Sequence, residues 1–411
     1  MSIIAGSLQG FELELAYALV GDQSIDACPQ VDELLSLYCQ ERLRSVPHDD
    51  AIWELPGPRH KLVMRSKQRL ENLSHAKDLF SAELRDAAEL AGKLDGRLLA
   101  TGMHPWMNAE AAELWPHGET PSDSALHAIF GKDRHGWANQ QSLRLSLPFD
   151  SELEFFRLFV ALRSLMPLMP AIAASSPFAN GRRGPAMSCR LATRRDYVAS
   201  DLDFSCSLVP PASECREAYN GEVVEPLHLA LQARGLEGAL SPMQVCGHGL
   251  VADFELGLVH IHMLDMQECL SADLAVCSMV VAMTQLLQNE VDASLAALGQ
   301  WPSARLAELL ESTLVGGSQA VLRDADFLAA FGFPEGGSCR ASELLQFVFE
   351  ERVSDGGLDE LKPAQEAIVG QGALAHRLLQ SLPERWNDED LYNLYRKLSE
   401  SLRDDECIVI S

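Results

Sequence analysis

The sequence predicts an α+β fold: an antiparallel or mixed sheet with helices packed on it, followed by a helical C-terminal region. Three observations carry this expectation. Segments at 10–20, 142–149 and 257–265 alternate apolar and polar residues, the period of a half-buried strand. Long segments between them place apolar residues at helical spacing. After about residue 290 the pattern is helical, with breaks at "VGGS", "FGFPEGGS" and "DGG".

In chain order, "GFELELAYALV" puts Phe11, Leu13 and Leu15 on one face and the carboxylates Glu12 and Glu14 on the other. From 66 to 94, Leu70, Leu73, Phe80, Leu84 and Ala87 recur among charges, which predicts a long amphipathic helix. "GRLLATGMHPW" is a short apolar strand broken at Gly102 and Pro105. "SLRLSLPF" turns Ser142, Arg144 and Ser146 to one face. Ser151 and Glu154 stand in capping-box spacing before an apolar helix that Pro167 and Pro170 bend or end. "GLVHIHMLD" places His260 and His262 together on a strand face, and Ser271 is the expected N-cap of the apolar helix that follows.

The bulk numbers exclude several classes. The chain has 411 residues and 47% apolar content, enough for a sizeable core. A formal charge of -26 repels phosphate backbones and anionic lipid, which argues against nucleic-acid or membrane partners. Local arginines can still hold a small anion. No basic-then-apolar leader opens the sequence, and the apolar run at 274–287 is short of the roughly 20 residues that span a bilayer. Ten cysteines without C-x-x-C spacing point to reduced thiols in a cytoplasm. P-loop, nucleophile-elbow and zincin motifs are absent.

Two pairs suggest metal chemistry. Glu12 and Glu14 share a strand face, the kind of pair that holds Mg²⁺ beside substrate phosphates, although acid pairs on solvated strand faces are commoner. His260 and His262 form a two-imidazole grip that still needs further ligands. Arg144, Arg182, Arg183 and Arg190 are candidate clamps for a carboxylate or phosphate.

Taken together, "GFELELAYALV", "GRLLATGMHPWM", "LWPH", "HGWANQQSLRLSLPF", "LMPAIAASSPFANG" and "VHIHMLDMQECLSADLA" resemble, in order, the second family of glutamate-cysteine ligases. These are carboxylate-amine ligases with a glutamine-synthetase-like fold. The resemblance implies an α+β core over 1–290 and a helical C-terminal region over 291–411. It also implies ATP and Mg²⁺ as cofactors, an acyl-phosphate intermediate and amide formation. The implied partners are an amino acid and a nucleotide, with a second copy or a paralogue as protein partner.

Carried onto this sequence, the resemblance makes Glu12, Glu14 and His260 metal-site positions, and Arg144 and His262 catalytic ones. His104, Asn139, Arg144 and Arg190 become substrate or nucleotide contacts. The chain departs from the family where charge matters. Val63 stands where a glutamate is expected, Arg144 where a histidine is, and His260 and His262 replace an acid and an arginine. Three readings follow: an active ligase with altered substrate, a degenerate relative that binds a ligand or partner, or a transition-metal site of Glu12, Glu14, His260 and His262.

Overall fold

The computed structural model describes residues 3–4, 10–131, 137–199, 201, 203–204, 206–289, 292–334, 336–354 and 358–410. The expected break at 355–357, the start of the "HGWANQQ" segment and the boundary at 290/291 lie outside the described residues.

The centre is an eight-stranded sheet. Its strands are β1 (Glu12–Gly21), β2 (Ser45–His48), β3 (Ala51–Glu54), β4 (Lys61–Ser66), β5 (Gly96–Leu99), β6 (Ser142–Pro148), β7 (Leu250–Asp253) and β8 (Leu258–Asp265). The spatial order is β7-β8-β6-β1-β4-β3-β2, with β5 pairing the second half of β1. Every pairing in it is antiparallel. Strand alternation then sorts the two faces. Leu13, Leu15, Tyr17, Leu62, Met64, Leu143, Leu145 and Ile261 enter the main core.

That apolar face packs on helices. Against it lie α1 (Leu73–Gly92), α2 (Glu152–Leu165) and the almost wholly buried α4 (Leu270–Gln288), while α3 (Cys189–Val198) carries two buried arginines. The apolar stretches Glu152–Ala173 and Leu270–Gln288 are long and apolar enough to cross a membrane, but they are buried inside the protein and serve as core helices. One hydrophobic core runs from the sheet through these helices into α5 (Ser303–Gly316) and beyond, including Leu306, Leu344 and Ile368.

The other face of the sheet is divided. Over the second half of β1, Ala18 and Val20 are covered by α6 (Leu374–Gln380) and α7 (Asp388–Asp404), with Leu374, Tyr395 and Leu398 packed on them. Over the first half, the positions of Glu14 and Ala16 face a cavity instead. The C-terminal helices thus close one end of a concave face and leave the other end as a site.

Several elements differ from the sequence expectation. The helix expected over 66–94 begins at Leu73, because Ser66 ends β4, Leu70 bridges to Phe11, and the Asn72 side chain caps the helix by accepting from His75 N at 2.9 Å. Ser271 is not the N-cap of α4. Cys269 holds that position, and Ser271 instead donates its hydroxyl to Asp405 at 2.8 Å. The proline-bent helix does form, with a 3-10 turn at Met166–Leu168 joining its two parts. Strands β2, β3 and β7 gave no alternating signal long enough to read.

Candidate active site

A cavity of about 500 Å³ lies on the open half of the concave face. That size suits a small organic ligand. Its floor follows from register. Glu12 pairs with Ser146, which pairs with His260, and Glu14 pairs with Arg144. A bulge between Ile261 and Leu264 shifts β8 beside Arg144. On the other side of β1, Ala16 pairs with Val63 and Val63 with Glu54.

Glu14, Arg144, His260 and His262 all line this cavity. Glu12 is not among the lining residues, so the acidic pair expected from "ELEL" presents one carboxylate to the site. Arg144 donates through Nη2 to Glu14, forming an ion pair across the floor. His260 Nδ1 and Ser146 Oγ are 2.7 Å apart. Burial, aided by the Arg144 charge, pushes the His260 imidazole down to about 4. Burial followed by Arg194, Arg144, His260 and Arg190 holds His262 well below the usual histidine range. Both rings are therefore neutral at physiological pH.

The geometry lends the transition-metal reading no support. Strand β6 lies between β1 and β8, and neighbouring strands are roughly 4.8 Å apart, so the carboxylates and imidazoles sit on strands about 10 Å apart. Arg144 and Ser146 fill that gap. Among the described residues no group of three or more His, Cys, Asp or Glu is placed to hold a metal ion. The partner of His260 among the described residues is Ser146.

His104 and Asn139 also change role. His104 is buried, with Nε2 2.8 Å from Ile25 O and Nδ1 accepting from Met107 N at 3.1 Å. Both ring nitrogens are thus engaged with backbone. Asn139 accepts from His104 N at 2.7 Å and donates to His104 O at 2.9 Å, while its neighbours Ala138 and Gln140 face the cavity. The two residues stitch the "GMHPW" loop beneath the site and do not line it.

Arg190 does line the cavity, and it is held there by a hub. Asp265, at the end of β8, accepts from Arg190 Nε at 2.6 Å, Ser188 Oγ at 3.0 Å, Ser176 Oγ at 2.8 Å and Ser175 N at 3.0 Å. Ser188 also caps α3 by accepting from Leu191 N, and Ser176 accepts from Arg190 N. One carboxylate thereby fixes the start of α3 and the guanidinium that projects from it. Arg190 Nη1 donates to His262 O at 3.2 Å, and Nη2 is buried with no partner. Arg182 and Arg183, by contrast, are exposed on a short hairpin.

Three cavity residues escaped the sequence reading. Lys61 shares a strand face with Val63, and burial pushes its ammonium down to about 8, with Glu14 opposing and Arg190 adding to the shift. Arg194 lies one helical turn after Arg190, donates to His248 O at 3.3 Å and stands over the Trp137 ring at 5.6 Å. Burial and Arg190 bring its pKa down to about 10. Glu54 sits one strand across from Val63 and accepts from Arg65 Nε at 3.1 Å, so a carboxylate stands beside the place that Val63 leaves apolar. The period-2 face of "KLVMRS" and the i, i+4 spacing in "CRLATRR" were the signals available.

An antiparallel sheet whose concave face carries a charged cleft, half-closed by C-terminal helices, defines an α+β protein with a small-ligand site. Two solved structures share the fold. Glutamate–cysteine ligase from Francisella tularensis, in complex with AMP, superposes with a TM-score of 0.59 at 11% identity, covering 96% of this chain and 88% of that one. A bifunctional glutathione synthetase from Pasteurella multocida gives a TM-score of 0.54 at 13% identity over 96% of this chain, which spans 52% of that longer protein. In sequence, an uncharacterized protein of Archaeoglobus fulgidus is 24% identical over 388 residues, covering 94% of this chain and 97% of its own length. The model of glutamate-cysteine ligase family 2 matches residues 10–227, and the chain belongs to that family.

Proposed function

We propose that the protein is an ATP-dependent carboxylate-amine ligase that makes a γ-glutamyl-type amide in this cleft. The observation supporting it most directly is that Lys61, Arg144, Arg190 and Arg194 line one cavity, beside the carboxylates Glu14, Glu54, Glu110 and Asp253, in a chain whose overall charge is -26. Such a lining suits the two anions this chemistry brings together, a nucleotide and an acid. The AMP in the Francisella ligase supports the nucleotide half of the reading. Ten free thiols suit a cytoplasmic site of action.

The reaction has two stages. A carboxylate oxygen takes the γ-phosphoryl group of ATP, releasing ADP and leaving an acyl phosphate. An amine then attacks the acyl carbon, forms the C–N bond, expels phosphate and gives up a proton. Charge accumulates on phosphoryl oxygens in the first stage and on the departing phosphate in the second, where guanidinium and ammonium groups are most effective. His262 lines the same cavity, but its lowered basicity makes it a weak acceptor for the amine's proton.

Magnesium fits less well. It takes oxygen ligands, usually one or two carboxylates together with substrate phosphates. Only Glu14 of the expected pair reaches the cavity, and its carboxylate is committed to Arg144. Among the described residues no group of three or more His, Cys, Asp or Glu assembles a protein site for the ion.

That same ion pair favours a second reading, a family member that binds the ligands without joining them. Turnover separates the two. Purified protein is offered ATP, Mg²⁺, L-glutamate and a panel of amines, and ADP is measured. Formation of ADP that depends on both acid and amine, and is lost in Arg190→Met, supports the ligase. Nucleotide binding with no ADP from any combination leaves the binding reading in its place.

A further inference from the structure

Cys269 and Cys407 are 138 positions apart in the chain, and their Sγ atoms lie 3.7 Å from each other. Cys269 is buried at the N-cap of α4, whereas Cys407 is partly exposed in the tail that follows α7. Contacts on both sides hold the two thiols together. On one side Asp405 accepts from Ser271 N and from Ser271 Oγ, each at 2.8 Å, and Lys77 donates to both residues. On the other side Ile408 N donates to Glu268 at 3.3 Å, while Arg377 donates to Glu268 and to Ile408 O. Ser271 with Asp405, Cys269 with Cys407 and Glu268 with Ile408 thus form an antiparallel series, and the tail crosses the entry to α4 in a fixed register. Further out, Ile410 exchanges two hydrogen bonds with Gln371.

All ten cysteines are free, so this register is reached without a covalent bond. A disulfide bond is about 2.05 Å long, and closing the pair therefore takes roughly 1.7 Å of sulfur movement, which side-chain rotation can supply. The two thiols also differ in the way a stepwise exchange requires. Cys407 reaches solvent and meets an oxidant first. The hydrogen bond with Cys407, followed by burial and the Glu268 charge, holds the Cys269 thiol well above the usual range. Cys269 is the thiol that waits.

We propose that Cys269 and Cys407 are a modification site for low-molecular-mass disulfides, which convert the pair into a reversible covalent staple between the tail and the start of α4. The Cys407 thiolate attacks one sulfur of the small disulfide, giving a mixed disulfide and one small thiol. That step takes away the Cys407 hydrogen bond and charge that kept Cys269 protonated. Cys269 Sγ then attacks Cys407 Sγ, and its proton leaves with the second small thiol. Two protein thiols are oxidised, and one small disulfide is reduced to two thiols. In a reducing compartment such a bond is transient and follows the ratio of small disulfide to small thiol. Because α6 and α7 cover one half of the concave face and the tail is fastened to Arg377 of α6, the staple acts on the elements that close the cleft. The proposal concerns the thiol pair alone, so it stands apart from whether the ligase reaction occurs.

The test incubates the folded full chain with hydroxyethyl disulfide, blocks the remaining thiols with N-ethylmaleimide and maps the peptides by mass spectrometry. A linkage between Cys269 and Cys407 that mercaptoethanol reverses is expected. The melting temperature should rise by roughly 3 °C or more, since the bond closes a long loop. Hydrogen exchange over α6 and α7 should slow in the oxidised protein. Cys407→Ser should abolish the linkage and both changes, and Cys407→Ala serves if the serine variant does not fold. A linkage that forms only in urea, a dominant pairing of other cysteines, or a mixed disulfide at Cys407 that Cys269 never resolves overturns the proposal. So does a native linkage that leaves melting and hydrogen exchange unchanged. Absence of ADP formation in the turnover assay, with the linkage formed, defeats only the ligase reading.

Discussion

Arg190 Nε donates to Asp265 Oδ1 at 2.6 Å, and neither side chain is more than 2% exposed. This contact joins the end of β8 to the first turn of α3, so it sets where the guanidinium enters the cavity. Asp265 also gathers Ser175, Ser176 and Ser188. Asp265→Asn replaces two acceptor oxygens with one and leaves a buried cation without its counter-charge. A loss of about 3–5 kcal/mol is expected, the range for breaking a buried pair from one side. Urea denaturation measures it, and a loss below about 1 kcal/mol would show that the hub is not what holds α3.

Gly102 is built against that same carboxylate. A Cβ there would lie 2.5 Å from Asp265 Oδ2 and 2.9 Å from Ser176 Oγ, while Gly102 N donates to Ser175 Oγ at 2.7 Å. Asp265 is pinned by its donors and cannot retreat. Gly102→Ala should therefore cost about 1–3 kcal/mol through overpacking. Gly238→Ala, where nothing lies within 4 Å, is the matched control and should stay within about 0.5 kcal/mol of wild type. Equal stability of the two variants would remove the steric account of the "TGMHPW" turn.

What could be read from the sequence divides along contact range. Period-2 alternation grouped Glu12 with Glu14, Arg144 with Ser142 and Ser146, and His260 with His262, each within its own strand, while the family resemblance implied that the Glu and His strands share a concave face. The Asp265 hub had no such signal, because its donors come from positions 75 to 90 residues earlier in the chain. Range also explains the misassigned histidine. "GMHPW" concentrates polar and aromatic groups, yet His104 spends both nitrogens on Ile25 and Met107, one of them 79 residues away. Strand order was likewise out of reach of the sequence: β6 intervenes between the strand of Glu14 and that of His260 and His262.

Buried neutral histidines make stability depend on acid. Burial lowers His60 to about 4 and also lowers His104, each with a hydrogen bond to backbone carbonyl opposing the shift. Between the unfolded value near 6.5 and the folded one, the unfolded chain holds the extra protons, so stability rises with pH. The contribution is complete above about pH 6.5 and is lost as pH falls toward 4, at up to roughly 1.4 kcal/mol per pH unit for each such histidine. Melting temperatures across this window should fall steadily on acidification. His60→Gln, which keeps a donor for Ala138 O, should flatten the slope by up to one proton. An unchanged slope would mean His60 does not carry the effect.

The C-terminal segment is tied down by a buried pair outside the cavity lining. Arg377 and Glu268 are both fully buried; Arg377 Nη1 donates to Glu268 and to Ile408 O at 2.6 Å, and Ile408 N donates to Glu268 Oε1 at 3.3 Å. The pair thus connects the turn before α4, the helix α6 and the tail at Ile408 in one network. Because α6 and α7 close one end of the concave face, loosening this network should reach the site through them. Glu268→Leu alone leaves a desolvated guanidinium, and Arg377→Met alone a desolvated carboxylate, so each should cost about 3–5 kcal/mol. The double variant buries neither charge and should be closer to wild type than either single, giving a coupling of about 1–3 kcal/mol in a double-mutant cycle. Strict additivity of the two losses would show that the ion pair contributes nothing beyond packing, and that the tail is held by Ile408 and its neighbours instead.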